Sequence, residues 1–212
     1  MYLLTNDLYF PPIEQTLPEG ILAIGGDLSS ERLLMAYRNG IFPWFEDDQP
    51  ILWWSPDPRM VLFPKELVVS KSMRNILNRN IFKVTFNQGF RHVISNCKQI
   101  LRDGQNGTWI TNEMIEAYCR LHELGFAQSI EVWRDDELVG GLYGIDLGHI
   151  FCGESMFSKV SNASKVAFIA LVNHLKSHQY QLLDCQVYNE HLESLGAREI
   201  PRAEFMAILL KK

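Results

Sequence analysis

Two short stretches hold the residues best suited to chemistry. In Ile150-Phe151-Cys152-Gly153-Glu154-Ser155-Met156-Phe157-Ser158, aromatic and apolar residues recur at period two, which predicts a strand. Alternation sets Cys152, Glu154 and Met156 on one face and Phe151, Gly153, Ser155 and Phe157 on the other. A carboxylate between two soft apolar side chains is costly to bury unless it is paired or hydrogen-bonded. Glu154 therefore marks either a wet edge, a bridge to a structural arginine, or the wall of a pocket that needs apolar lining and one charge. Leu182-Leu183-Asp184-Cys185-Gln186-Val187 repeats the pattern, with Leu182, Asp184 and Gln186 expected on one face. Ligands gather at strand ends, so this Asp and Gln are the second candidate site. The alternative is that Asp184 caps a neighbouring loop.

Other chemistries find little support. His174 and His178 stand four apart on a helix, but His-Leu-Lys-Ser-His has no glutamate between them, and no metal site is expected. No G-x-S-x-G or Walker loop occurs, and no cysteine has an evident histidine partner. Cys97, Cys119, Cys152 and Cys185 are scattered without tight spacing, as expected of free thiols in a reducing, cytosolic compartment. No apolar run reaches 18 residues, so no membrane span is expected.

The elements that must position these residues can be read in order. Pro11-Pro12 and Pro18-Glu19-Gly20 mark an irregular start. Asp27 or Ser29 caps a helix that Gly40 stops. Trp44, Trp53 and Trp54 are interleaved with prolines, which hold them in extended or turn backbone. A domain boundary is expected near Asp57. Beyond it, Met60–Phe63 and Phe82–Phe86 read as strands, Ser70 caps a basic helix, and Asn87 caps a helix to about Leu101. Thr111 caps an amphipathic helix with Met114, Ile115, Tyr118, Leu121 and Leu124 on its stripe. Three strands then form an antiparallel meander, near 128–133, 138–145 and 149–157. Asn162 caps a long helix to about His178. A strand to Val187, a short helix, a segment to Ile200 and a last helix starting at Pro201 complete the chain.

The fold class is therefore α+β: a small N-terminal domain over residues 1–57 and a larger one over 58–212. The order of meander, helix and strand resembles the acyl-CoA N-acyltransferase (GNAT-like) fold, a mixed sheet flanked by helices. Acyl-CoA enzymes cradle pyrophosphate on a Gly-rich turn at the central helix. The corresponding turn, Ser158 to Lys165, has no glycine, which argues against CoA. Charge is uneven: from Arg59 to Arg102 nine basic residues face one acid, Glu66, in a chain of net charge −5. That run predicts a local electropositive surface, unless acids elsewhere in the fold neutralise it.

Many ordered motifs also resemble one family. They include Gly25-Gly26-Asp27-Leu28, Gly40-Ile41-Phe42-Pro43-Trp44, Trp53-Trp54-Ser55-Pro56-Asp57-Pro58-Arg59, Gly107-Thr108-Trp109-Ile110-Thr111, Ser129-Ile130-Glu131-Val132-Trp133, Phe151 to Ser158, Asn162-Ala163-Ser164-Lys165 and Asp184-Cys185-Gln186. Together they resemble the leucyl/phenylalanyl-tRNA–protein transferases. The resemblance implies a cytoplasmic aminoacyltransferase without a cofactor. It would move Leu or Phe, and Met less well, from aminoacyl-tRNA to the α-amine of proteins that begin with Arg or Lys, marking them for N-end-rule degradation. It implies Asp184 and Gln186 at the reacting amine, one holding it and the other orienting the amide or accepting a proton. Glu154 would fix the donor's α-ammonium or order the catalytic amide, and Leu142 and Met156 would line the side-chain pocket. The family pattern carries Met where this chain has Leu142, a change that keeps apolarity and approximate volume. Trp44 and Trp109 match tryptophans near the terminal adenosine of the tRNA. Lys71, Arg74 and Arg79 on the basic helix are the phosphate-contact candidates. A monomer is expected. The rival readings are a CoA-dependent N-acyltransferase and a non-catalytic tRNA-binding module.

Overall fold

The computed structural model describes residues 1–99 and 110–211. In chain order the elements are β1 (Tyr2–Leu4), β2 (Ile21–Gly25), α1 (Ser30–Arg38), β3 (Phe42–Pro43), β4 (Leu52–Trp54), β5 (Arg59–Leu62), α2 (Lys71–Asn78), β6 (Lys83–Phe86), α3 (Phe90–Gln99), α4 (Asn112–Glu123), β7 (Ala127–Arg134), β8 (Glu137–Asp146), β9 (Ile150–Ser158), α5 (Ala163–Ser177), β10 (Leu182–Gln186), α6 (Glu190–Glu193), β11 (Arg198–Ile200) and α7 (Arg202–Leu209). The meander, the long helix and the following strand are where the periodicity put them.

The first four strands form a small sheet in the order β1-β2-β4-β3. Pro43 sits in the edge strand β3, the place in a sheet where a residue without an N–H is tolerated. The other seven strands form a mixed sheet, β11-β5-β10-β9-β8-β7-β6. Within this sheet, among the described residues, only β9 and β10 run parallel and the other pairings are antiparallel. Sequence order hides the insertion of β5 between β10 and β11. Apolar cores cover both faces. One reaches from Leu22 and Trp53 in the small sheet to Phe205 in α7, and the other packs α5 on the strands.

Helix starts were partly legible. Ser29, Ser70 and Thr111 accept the expected backbone N–H bonds from Arg32, Met73 and Met114. Asn162 does not cap α5: it is left-handed, with φ 71°, and makes no side-chain cap bond. Ser158 at the end of β9 does that job, its Oγ accepting from Ser164 N. Nor does Asn87 cap α3. Its side chain reaches β7, accepting from Ser129 N, and the carboxylate of Glu131 accepts from Gly89 N instead. Glu131 is fully buried and also accepts from Thr85 and Ser129 hydroxyls, so this second buried acid is satisfied and serves structure. The predicted end of α3 near Leu101 lies outside the described residues.

A fork in the large sheet positions the site. β10 pairs with β9 only over Leu182–Asp184 against Ile150–Cys152. Past that point β9 follows β8. β10 shifts register against β5 between Asp184 and Gln186, and Gln186 takes a left-handed backbone, φ 65°. The two strands diverge, and the gap between them is open.

Candidate active site

A cavity of about 290 Å³ fills that gap. Gly153, Glu154, Ser155 and Met156 line it from β9, and Asp184, Cys185 and Gln186 from β10. Phe42, Pro43 and Trp44 close one side from the small sheet, and Phe168 and Leu171 of α5 contribute apolar surface. Leu142 and Met156 are cross-strand partners and both line the cavity. Sequence reasoning missed Phe168, Leu171, Leu183 and Leu192. The i, i+3 spacing of Phe168 and Leu171 was the available signal.

The alternation assumed for β9 is corrected by a register shift against β8 between Tyr143 and Gly144, opposite Glu154. The extra residue turns Glu154 away from Met156. Glu154 points with Cys152 toward the core shared with the small sheet, and Met156 packs on the α5 side. A second register shift follows Asp184, and the Gln186 side chain beyond it meets Glu154.

Glu154 is held by two elements besides its own. Its Oε1 accepts from Gln186 Nε2 at 2.8 Å, and its Oε2 accepts from the Tyr118 hydroxyl of α4 at 3.1 Å. The Tyr37 hydroxyl of α1 in turn hydrogen-bonds that of Tyr118. Part of the Glu154 side chain remains open to the cavity, while protein encloses the rest. Burial pushes its carboxyl up to about 7 against the pull of its hydrogen-bond donors, and the charge on Asp184 adds to the rise. Burial raises Tyr37 and Tyr118 well above the usual phenol range, so both remain protonated donors. Burial likewise raises the Cys152 and Cys185 thiols, so neither supplies a ready thiolate.

Asp184 has a different environment. It is 0% exposed, and Arg59, 1% exposed, grips it with a fork: Nε to Oδ1 at 2.8 Å and Nη2 to Oδ2 at 2.7 Å. Asp184 Oδ1 also accepts the backbone N–H of Gln186 at 2.9 Å. Both oxygens are thus engaged. Arg59 leaves the electropositive surface to which the basic run assigned it. Arg91 pairs with Glu116, and Lys98 donates to Asn112. Lys71, Arg74 and Arg79 are exposed on and beside α2, and none forms a salt bridge among the described residues. Trp44 lies at the cavity, half-buried, its carbonyl taking the indole N–H of Trp54 at 2.6 Å. Trp109 lies outside the described residues, as does Arg102.

The family model of the leucyl/phenylalanyl-tRNA protein transferases matches residues 61–210, and the model of their N-terminal domain matches residues 26–57. The chain belongs to the leucyl/phenylalanyl-tRNA–protein transferase family. Among curated relatives, the leucyl/phenylalanyl-tRNA–protein transferase of Flavobacterium johnsoniae is 71% identical over 212 residues, all of both chains. That of Flavobacterium psychrophilum is 65% identical over 211 residues, with both chains covered in full. A solved structure of a ribosomal-protein-alanine N-acetyltransferase from Brucella melitensis is more distant. It is 13% identical, with a TM-score of 0.37 over 54% of this chain and 86% of that one. The transferase is an enzyme that moves leucine or phenylalanine from tRNA to protein. Its acyl donor is an aminoacyl-tRNA. No helix among its described residues is long and apolar enough to cross a membrane.

Proposed function

We propose that the forked-sheet cavity is where the aminoacyl end of the tRNA meets the acceptor amine, with Glu154 and Gln186 at the reacting nitrogen. One observation carries this reading: a single cavity presents an apolar wall, a tryptophan at its side, and a hydrogen-bonded carboxyl–amide pair. Leu142, Met156, Phe168 and Leu171 take the Leu or Phe side chain. A hydrophobic pocket separates substrates differing by one methylene by only about 1–3 kcal/mol, which suits an enzyme that accepts both and Met less well. Trp44, with Trp109, stacks the terminal adenosine, a contact worth roughly 1–3 kcal/mol.

An aminoacyl ester is already activated, so the nucleophile needs only to be a neutral amine. An α-amine titrates near 7.7–8.0, and a tenth or more is neutral at pH 7. Gln186 donates one Nε2 proton to Glu154 Oε1, and its own Oε1 has no partner among the described residues. That oxygen accepts an N–H of the acceptor and aims its lone pair at the carbonyl. As the C–N bond forms, Glu154 takes the departing proton. The ester C–O bond then breaks, and the ribose oxygen leaves carrying a proton. A carboxyl poised near 7 suits this exchange, because it can both accept and return the proton at neutral pH. Asp184, with both oxygens committed, orients Gln186. The acceptors are proteins beginning with Arg or Lys, and Glu154 is a cavity carboxylate that no cation neutralises among the described residues. The product enters N-end-rule degradation in the cytoplasm. The enzyme acts as a monomer of two domains, 1–57 and 58–212.

Two measurements test this assignment. Gln186→Ala is expected to lower transfer of Phe from Phe-tRNA to an Arg-starting protein by about 10²-fold, with tRNA binding unchanged. Near-parental turnover would remove Gln186 from the reaction. Lys71, Arg74 and Arg79 are assigned to tRNA phosphates. Replacing all three by Glu should weaken tRNA binding and reduce the slope of log affinity against log salt by about 2–3. An unchanged slope would place the tRNA elsewhere.

A further inference from the structure

We propose that Arg59 is a positioning residue for the transfer reaction: it fixes Gln186 against Glu154 and sets the distance between the Trp44 wall and the reacting pair. The inference rests on the site reading above and adds to it a residue that touches neither substrate.

Arg59 opens β5, the strand between β10 and β11. Its guanidinium uses its fork on Asp184 and donates its remaining terminal nitrogen, Nη1, to Gly40 O at 3.2 Å. It lies 4.8 Å from the centroid of Phe42 and 4.7 Å from that of Phe205. It therefore binds three segments at once: the turn after α1, the end of β10 and the start of α7. Gly40 takes a left-handed backbone, φ 71°, and a Cβ there would meet Met206 Sδ at 2.6 Å. The carbonyl that Arg59 grips thus belongs to a turn packed against α7 that leaves no room for a side chain.

The hydrogen bonds close a ring. From Tyr37 in α1 the chain of contacts runs through Tyr118, Glu154 and the Gln186 amide. It continues through the Gln186 N–H to Asp184, then Arg59, and returns to Gly40, just beyond the end of α1. Phe42, Pro43 and Trp44 follow directly on Gly40-Ile41 and line the cavity. The wall assigned to adenosine and the amide assigned to the amine are thereby tied through one guanidinium. Gln186 needs such a tie. Its left-handed backbone is uncommon for a residue with a side chain and persists only where neighbours over-determine it. Lysine could supply the charge but not the planar fork that meets Asp184 with two bonds.

The test uses the full-length enzyme with Phe-tRNA and an Arg-starting peptide, rates being expressed per folded molecule. Arg59→Lys is expected to lower kcat by about 10²-fold, the effect of a misplacement near 1 Å, with KM for Phe-tRNA unchanged within about threefold. The apparent ionisation near neutrality in its pH–rate profile should move upward, because Gln186 no longer supports the charged form of Glu154. Arg59→Met/Asp184→Leu removes both charges, a replacement that is often neutral or stabilising for folding. It is expected to melt near the parent temperature and still transfer about 10²-fold more slowly. A purely structural role would instead give a less stable Arg59→Lys with normal kcat and pH profile in its folded fraction. Full transfer by either folded variant overturns the proposal. Gln186→Ala and Glu154→Gln run alongside. If both of those transfer normally, the site reading has failed; if they are slow while Arg59→Lys is normal, only the Arg59 assignment has failed.

Discussion

Glu154→Gln is expected to lower kcat/KM for transfer by about 10²–10⁴-fold, the range for losing a general base. The substitution preserves shape and hydrogen bonding. The new amide oxygen can accept from Gln186, and its nitrogen can donate to Tyr118, whose hydroxyl turns to donate elsewhere. What it removes is the proton acceptor. The same substitution should raise stability at alkaline pH. The folded enzyme holds the Glu154 proton up to about pH 7, whereas the unfolded chain releases it at the ordinary carboxylate value of 4.5. Between those values the folded state binds more protons, so stability falls as pH rises through the window. At pH 8 the parent carries a destabilisation of at most about 3 kcal/mol that the glutamine lacks. The partial exposure of Glu154 to the cavity lowers this through solvent screening. Urea unfolding at pH 5 and pH 8 reads this directly: parent and variant should diverge far more at the higher pH. A slow enzyme that is more stable than its parent is the signature of a group kept for function. Equal unfolding curves at both pH values would show that Glu154 is not a strained acid.

Asp184→Ala is expected to be costly in two ways. It strands the Arg59 guanidinium in a site that is 1% exposed, and breaking a buried pair by removing one partner costs about 3–5 kcal/mol. It also leaves the Gln186 N–H without its acceptor, which frees the left-handed turn that aims the amide. Transfer per folded molecule should therefore fall by about 10²-fold, with tRNA affinity intact. Asp184→Asn, which keeps one acceptor oxygen, should lie between the two. If Asp184→Ala unfolds at the parental urea concentration and transfers normally, Asp184 neither holds Arg59 in the fold nor orients Gln186.

Local rules made much of this fold legible. The β7–β8–β9 meander, the caps at Ser29, Ser70 and Thr111, and the stop at Gly40 each depend on a few adjacent residues. The apolar partners Leu142 and Met156 were named from resemblance and do line the cavity. The failures concern features that adjacent residues do not determine. Period two sets the facing of a strand only while its register is unbroken, and the shift opposite Glu154 parts it from Met156. Asn162 and Asn87 looked like caps because asparagine favours such turns. Both occupy left-handed positions, and Ser158 and Glu131 supply the acceptors from the sheet. Arg59 counted as one more surface cation, because its partner lies 125 residues away. Tyr118 read as one residue of an apolar stripe, and Tyr37 as an inward residue of the helix that Gly40 stops. Only tertiary packing reveals that their hydroxyls converge on one carboxylate.

The most direct measurement is the single-turnover rate of Phe transfer to an Arg-starting peptide between pH 5.5 and about 9, for the parent and Glu154→Gln. Each rate is divided by the neutral fraction of the acceptor amine, so that only the enzyme's own titration remains. The parent should rise through about pH 7 to a plateau, while the variant stays slow and flat. A variant as fast as the parent, or one that keeps the inflection near 7, would contradict the placement of Glu154 at the reacting amine.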